Sequence, residues 1–208
     1  MPWRTIVFFI TCIALVCALG LPAQAIFKVT KIAGGTIVPD GSTADWPPEF
    51  FSALGPTEVG NRWAIAYDDI FLHLAVIVQD PTPEFSDITS KTSLRNDAVH
   101  VYLQAAEAKV GWAITCWGRS KQTVILPLIP DSLDTRWAIA RLQPHPQGYA
   151  VELSIARSAL GLANDQHRNF SLQLVIVDLA DGLIQQAFTL NNRPTEWQNP
   201  TYYLPFTL

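Results

Sequence analysis

Short segments rich in β-branched and aromatic residues, each closed by a turn signal, recur through most of this chain and constrain its fold more than any other feature. Residues 63–67, 71–78, 98–103, 112–117, 149–155 and 170–177 are of this kind. Most alternate apolar with polar or run apolar throughout, the two patterns of half-buried and fully buried strands. Asp68-Asp69 separates the first two and predicts a tight hairpin, because Asp tolerates turn backbone. Pro81 and Pro83 end the second, since proline has no N–H to give to a central ladder. Residues 123–129 and 136–142 are two further candidate strands, joined by a turn around Pro130 to Ser132. The one helical piece is a single turn at 157–160, closed by Gly161. Many short strands with little helix predict an all-β fold, an antiparallel β-sandwich of the jelly-roll kind. No internal repeat, low-complexity run or long linker interrupts it, so residues 26–208 are expected to form one domain.

Residues 1–25 are a different kind of sequence. Arg4 supplies a positive start, Ile6 to Leu19 form a nearly unbroken apolar run, and Ala23-Gln24-Ala25 has the small-x-small pattern of a peptidase site. This reads as a secretory signal peptide, with the mature chain beginning at Ile26 and residing in the periplasm or outside the cell. An uncleaved membrane anchor is the competing reading, but the run is short for a bilayer span and the cleavage pattern follows it directly. No membrane insertion of the mature chain is expected.

Cleavage removes Cys12 and Cys17 and leaves Cys116. One cysteine cannot form an internal disulfide, so the domain must be held by its core. Cys116 lies in an alternating apolar segment and reads as a buried strand residue. Charge excludes a further class of partner: 14 Lys and Arg stand against 18 Asp and Glu, and the basic residues are scattered singly. Nothing there makes the basic stripe that nucleic acid requires.

The order of motifs resembles family 9 carbohydrate-binding modules and the wider group of DOMON-like sandwiches. Asp40-Gly41-Ser42-Thr43-Ala44-Asp45-Trp46 looks like an Asp-Gly…Trp opening, and Ala66 to Val76 followed by Gln79-Asp80-Pro81 looks like the first hairpin. Asn96-Asp97-Ala98-Val99-His100 stands where that family has an Asp-Ser-Val-Glu strand. Gly148-Tyr149-Ala150-Val151-Glu152 is similar to its Gly-Tyr-x-x-Glu segment, and Trp197-Gln198-Asn199-Pro200 to its closing Trp-x-x-Pro. The resemblance spans nearly all of residues 26–208 and implies non-catalytic binding of a glycan.

In that family a terminal sugar is held between two tryptophans, whose flat rings pack on the C–H faces of a pyranose. Trp197 matches the later tryptophan by its spacing to Pro200. The earlier one falls at Leu94, the acidic residue is replaced by His100, and an arginine of the next strand falls at Ala113. Strand alternation puts Ala98, His100 and Tyr102 on one face, opposite Val99, Val101 and Leu103. On the next strand Ala113, Thr115 and Trp117 share the groove face. The resemblance therefore implies a ligand groove with Leu94, His100, Tyr102, Trp117 and Trp197 along it, in which Tyr102, Trp117 and Trp197 are the available aromatic surface. Trp46, Trp63, Trp112 and Trp137 read as packing residues, and His100 as a hydrogen-bonding group on a polar strand face.

No cofactor is required by this reading. Ca²⁺, which such modules often carry for structure, stays unplaced: Asp178 and Asp181 are candidates, but two carboxylates fall short of the roughly six to eight oxygens that Ca²⁺ takes. Two other functions compete. One is a protein-interaction or scaffold module that keeps the sandwich without the sugar site, which Leu94 and Ala113 favour. The other is a haem-binding electron-transfer domain of the DOMON-like kind, in which His73 or His100 would have to replace the usual methionine ligand, since Met1 is the single methionine. An enzyme is not expected, because the chain has no nucleophile elbow, zinc motif or phosphate loop.

Overall fold

The computed structural model describes residues 25–85, 96–105, 108–116, 122–129, 135–163, 168–181 and 183–208. Residues 1–24 of the proposed leader, Leu94, Trp117 and the turn at 130–132 lie outside the described residues, as does the side chain of Cys116. Thirteen strands are described: β1 (Phe27–Lys28), β2 (Thr30–Lys31), β3 (Ser52–Ala53), β4 (Arg62–Tyr67), β5 (Phe71–Gln79), β6 (Ala98–Ala105), β7 (Ala108–Cys116), β8 (Thr123–Ile129), β9 (Ala138–His145), β10 (Gly148–Ala156), β11 (Asn169–Ala180), β12 (Leu183–Thr189) and β13 (Leu204–Thr207). The helical turn expected at 157–160 is a 3₁₀ turn, Arg157–Leu160, ending at Gly161.

The strands form two sheets. Sheet A runs β1-β13-β11-β6-β7-β8, with β12 also on β11; sheet B runs β2-β4-β5-β10-β9, with β3 on β4. Every long pairing is antiparallel, as expected, but two edge pairings are parallel, so the sheets are mixed. β1 runs parallel to β13 and β2 parallel to β4, because the five residues from Phe27 to Lys31 cross from one sheet to the other at buried Val29.

The core lies between the sheets and follows the alternation of each strand. Val99, Val101 and Leu103 of β6 share this core with Trp112 and Ile114 of β7, Leu72, Leu74, Val76 and Val78 of β5, and Val151, Leu153 and Ile155 of β10. Phe206 seals one end, stacked on Phe170 at 5.4 Å and edge-on to Trp63 at 5.9 Å. The inward face of β6 is therefore Val99, Val101 and Leu103, and Tyr102 lies on the other, as strand alternation predicts. Trp46, Trp63 and Trp112 are buried, but Trp137 is 38% exposed. The phase of β9 explains this correction: Ala138, Ala140 and Leu142 point inward, so Trp137 and Ile139 fall on the solvent side.

Each sheet also covers its outer face. On sheet B, Ala64, Ala66 and Ala75 are small enough for Ile37 and Trp46 to lie against the backbone. On sheet A, Tyr102, Val175, Val177, Leu179 and Tyr203 make a separate apolar patch, with Trp197 packed at its margin.

Candidate functional site

The patch on sheet A stands where sequence reasoning puts a ligand groove. β6 and β11 form its floor, with Tyr102 directly opposite Gln173 and His100 opposite Val175 and Ala113. The residues after β12 return over this floor. Asn199 caps the short turn Pro200–Tyr202 through its side chain, Tyr203 follows with its ring 6.2 Å from Tyr102, and its hydroxyl donates to the Gln198 carbonyl at 3.3 Å. Trp197 is half-buried beside this turn, whereas Tyr102 and Tyr203 are buried.

Tyr102 does not offer free surface. It is 1% exposed, because Tyr203 and Trp197 close over it, and burial pushes its phenol up to about 12 against hydrogen bonding from Gln198 and Trp197. His100 is not a surface group either. It is 8% exposed, its Nδ1 lies 3.4 Å from the Tyr102 oxygen, and its Nε2 has no partner. Gln173, fully buried next to Tyr102, likewise has no partner for its amide. The floor is therefore apolar with His100 and Gln173 enclosed in it, and Trp197 lies half-buried at its rim.

Burial lowers the His100 pKa from 6.5 to about 4. A base whose folded value is depressed stabilises the fold above its unfolded pKa and loses that contribution as pH falls through the folded one. The interval corresponds to on the order of 3 kcal/mol. Comparing denaturant melts of wild type and His100→Gln between pH 7 and 4 isolates it: the wild type is expected to lose the larger amount of stability on acidification. Identical pH profiles would show that His100 is not held neutral.

A second polar cluster closes one end of the sandwich. Asp80 after β5, Asp97 before β6 and Asp178 near the end of β11 bring a carboxylate oxygen each within 4.8 Å of one another. Asp97 is buried, accepting from the amides of Leu179 at 2.7 Å and Glu84 at 2.6 Å, and Asp80 accepts from Thr82 at 2.9 Å. Burial and the adjacent Asp80 raise Asp97 to about 7 despite those two amides. The Tyr149 hydroxyl, buried and without a partner, is pushed well above its ordinary value by burial and by these same three carboxylates. Three hard oxygen donors plus a facing unpartnered hydroxyl suit a cation such as Ca²⁺. Of the expected pair, Asp178 belongs to this cluster. Asp181 instead occupies the β11–β12 turn at φ 55°, exposed and outside it. The sequence contained Asp80 and Asp97 as motif letters, but Asp97 meets Asp178 only through the pairing of β6 with β11, and Asp80 joins them from the end of β5 in sheet B.

Both ring nitrogens of His73 lie against protein groups. Its Nδ1 is 2.8 Å from Ser154 Oγ and its Nε2 3.3 Å from Asp68 Oδ2, all three residues buried. Desolvation lowers its pKa, with Asp68 opposing. The Ser-His-Asp connectivity suggests a nucleophile relay, but Ser154 lies mid-strand with no surface through which a substrate reaches its oxygen. Asp68 is a turn residue, as expected: its Oδ1 accepts from Ile70 at 2.7 Å and Phe71 at 2.6 Å.

No family model matches the sequence, and no curated protein does. Solved structures do match. A family 9 carbohydrate-binding module from Caldicellulosiruptor kristjanssonii in complex with cellotriose aligns at TM-score 0.61 and 18% identity, over 87% of this chain and 93% of the module. The fold is that of a family 9 module. The same kind of module from that organism in complex with glucose aligns at TM-score 0.61 and 17% identity, over 88% and 95%. A candidate carbohydrate-binding protein from Bacteroides uniformis aligns at TM-score 0.54 and 9% identity, over 89% and 99%. Of the two groups that the motifs resemble, the family 9 modules are the one these matches support. No helix among the described residues is long and apolar enough to cross a membrane.

Proposed function

We propose that this chain is an exported, non-catalytic carbohydrate-binding module whose ligand stacks on Trp197. The observation that carries the reading is the half-buried Trp197 ring at the rim of the Tyr102–Tyr203 patch, on a fold whose neighbours were solved with cellotriose and glucose. With Ala113 in place of the arginine and His100 neutral and enclosed, stacking carries more of the binding than charge does. Affinity is accordingly modest. Calorimetric titration with glucose and cellotriose tests this. Trp197→Ala is expected to weaken binding ~10- to 100-fold, with a small change in melting temperature. Heat-free titrations of the wild type would abandon the reading for a protein-interaction scaffold, which the closed Tyr102 floor favours.

The Asp80, Asp97 and Asp178 cluster is proposed to hold a structural Ca²⁺ that ties the two sheets together. Ca²⁺ binds the folded state alone and so raises its stability, by about 2.7 kcal/mol at a hundredfold excess over Kd. Asp97 must shed its proton to coordinate, so the stabilisation is expected to grow as pH rises through 7. Thermal melts of chelator-treated protein with and without Ca²⁺ measure it. The Ca²⁺ response should vanish in Asp178→Asn, a half-exposed ligand whose loss leaves the amide contacts of Asp97 intact. Equal responses in both proteins would remove the cation from this cluster.

A further inference from the structure

We propose that the chain carries a second ligand site, separate from Trp197: a polar cleft at the outer edge of sheet A that takes a neutral saccharide unit. The cleft has a volume of about 620 Å³ and opens between the turn that precedes β4 and strand β12 with the turn after it. Thr57 and Glu58 line one side, Gln186 and Asn192 the other, and the half-buried Phe188 ring lies between them. Its size falls in the range of small-molecule sites, which run to several hundred cubic ångströms.

Three features assign the ligand class. First, the four polar side chains are exposed and, among the described residues, none has a hydrogen-bond partner within the protein. One carboxylate, two amides and one hydroxyl thus converge with both donors and acceptors free, the complement that adjacent hydroxyl groups need. Second, no cation is among the described residues that line the cleft. Arg193, between the lining residues Asn192 and Pro194, is engaged elsewhere: its guanidinium lies 4.4 Å over the Tyr202 ring and 3.2 Å from Glu196. Glu58 therefore leaves the cleft negative, which disfavours anions, while the two amides and the hydroxyl outnumber the one charge and suit a neutral polyol. Third, Phe188 and the flanking Pro56 and Pro194 present C–H and ring surface, against which a pyranose can lie.

The turn that forms the near wall depends on Gly55. Its φ is +78°, and a Cβ there would stand 3.0 Å from Phe188 Cδ1. Glycine lets the backbone seat against the ring, so Thr57 and Glu58 face β12 across the cleft.

The site is separable from the groove by amide chemical shifts. The ¹⁵N-labelled protein would be titrated with glucose, cellotriose and glucuronic acid, alongside Glu58→Ala/Gln186→Ala, Asn192→Gly and Trp197→Ala. Asn192 sits at φ 56°, a conformation that glycine adopts freely, and the other two are surface positions, so the cleft variants should melt like wild type. Saturable shifts are expected at residues 57–58 and 186–192 with cellotriose. They should weaken ~10-fold in each cleft variant, persist in Trp197→Ala, and be weaker still with glucuronic acid. Shifts confined to the surroundings of Trp197, no shift at cleft amides with either neutral sugar, or cleft shifts unaltered in Glu58→Ala/Gln186→Ala would each overturn the second site. Equal affinity for glucuronic acid would overturn the neutral-ligand assignment. A cleft response that remains where no groove response is seen would sink the Trp197 reading and leave this one standing.

Discussion

Val101→Asp is expected to abolish the cooperative fold. Val101 is 1% exposed, in the middle of β6, with Trp112 of β7 on one side and Leu174 of β11 on the other. Both neighbours belong to the core between the sheets, and the unpartnered indole N–H of Trp112 is a neutral donor that cannot balance the charge of a carboxylate. An unpaired buried charge costs several kcal/mol, and the lost valine packing adds to it. A domain of this size has roughly 5–15 kcal/mol in all, so the variant should lose its near-ultraviolet dichroism and its sharp denaturant transition. His100→Gln, one residue away on the other face, should keep both. A folded Val101→Asp beside an unfolded His100→Gln would reverse the faces of β6, and the groove with them.

This contrast was readable in the sequence because β6 is flanked on both sides, so alternation and burial agree residue by residue. Where a strand lies at an edge, the pattern fails. β12, Leu183–Thr189, is exposed over its first four residues, and its burial shows no period that would mark it as a strand. β1, β2 and β3 are two residues long, too short to carry any period, and their existence depends on the partner strands they meet. Trp137 shows the same limit differently: its residue type suggests burial, but the neighbours that face inward on β9 decide its side. Trp197 stands out in the sequence by its spacing to Pro200, and in the structure it is half-buried at the margin of the sheet A patch. Alternation puts Tyr102 and His100 on the outer face of β6, but nothing local in the sequence tells that both are buried there, Tyr102 beneath Tyr203 and Trp197 of the tail after β12. The acid cluster was legible only as scattered aspartates, since its three members come from separate strands of both sheets.

Glu152 was legible as a motif letter, and its task emerges only from the fold. It sits 1% exposed in the middle of β10, on the outer face of sheet B. Its Oε2 accepts from the amides of Asp40 at 3.0 Å and Gly41 at 2.7 Å, and its Oε1 accepts from Trp46 Nε1 at 2.7 Å. The Asp-Gly…Trp opening and the Gly-Tyr-x-x-Glu segment are thus two halves of one joint, which clamps the chain from Ile37 to Trp46 onto the alanines of β4 and β5. Gly41 is needed at φ +90°, where a side chain would also collide with Gln143. Burial raises the Glu152 pKa, while Trp46 and Gly41 oppose that rise by donating to the carboxylate. Removing the acceptor leaves three donors facing a space that the loop closes off, so Glu152→Ala is expected to cost on the order of 3–5 kcal/mol, among the largest single losses in the molecule. Trp46→Phe removes one donor and keeps most of the ring, and should cost less. The two must couple: with Glu152 already gone, Trp46→Phe should cost at least about 1 kcal/mol less than it does in the wild type, as read from denaturant melts of the full cycle. Strict additivity would mean that the loop is held by the burial of Trp46 and Ile37 alone, and that the carboxylate is tolerated there rather than needed.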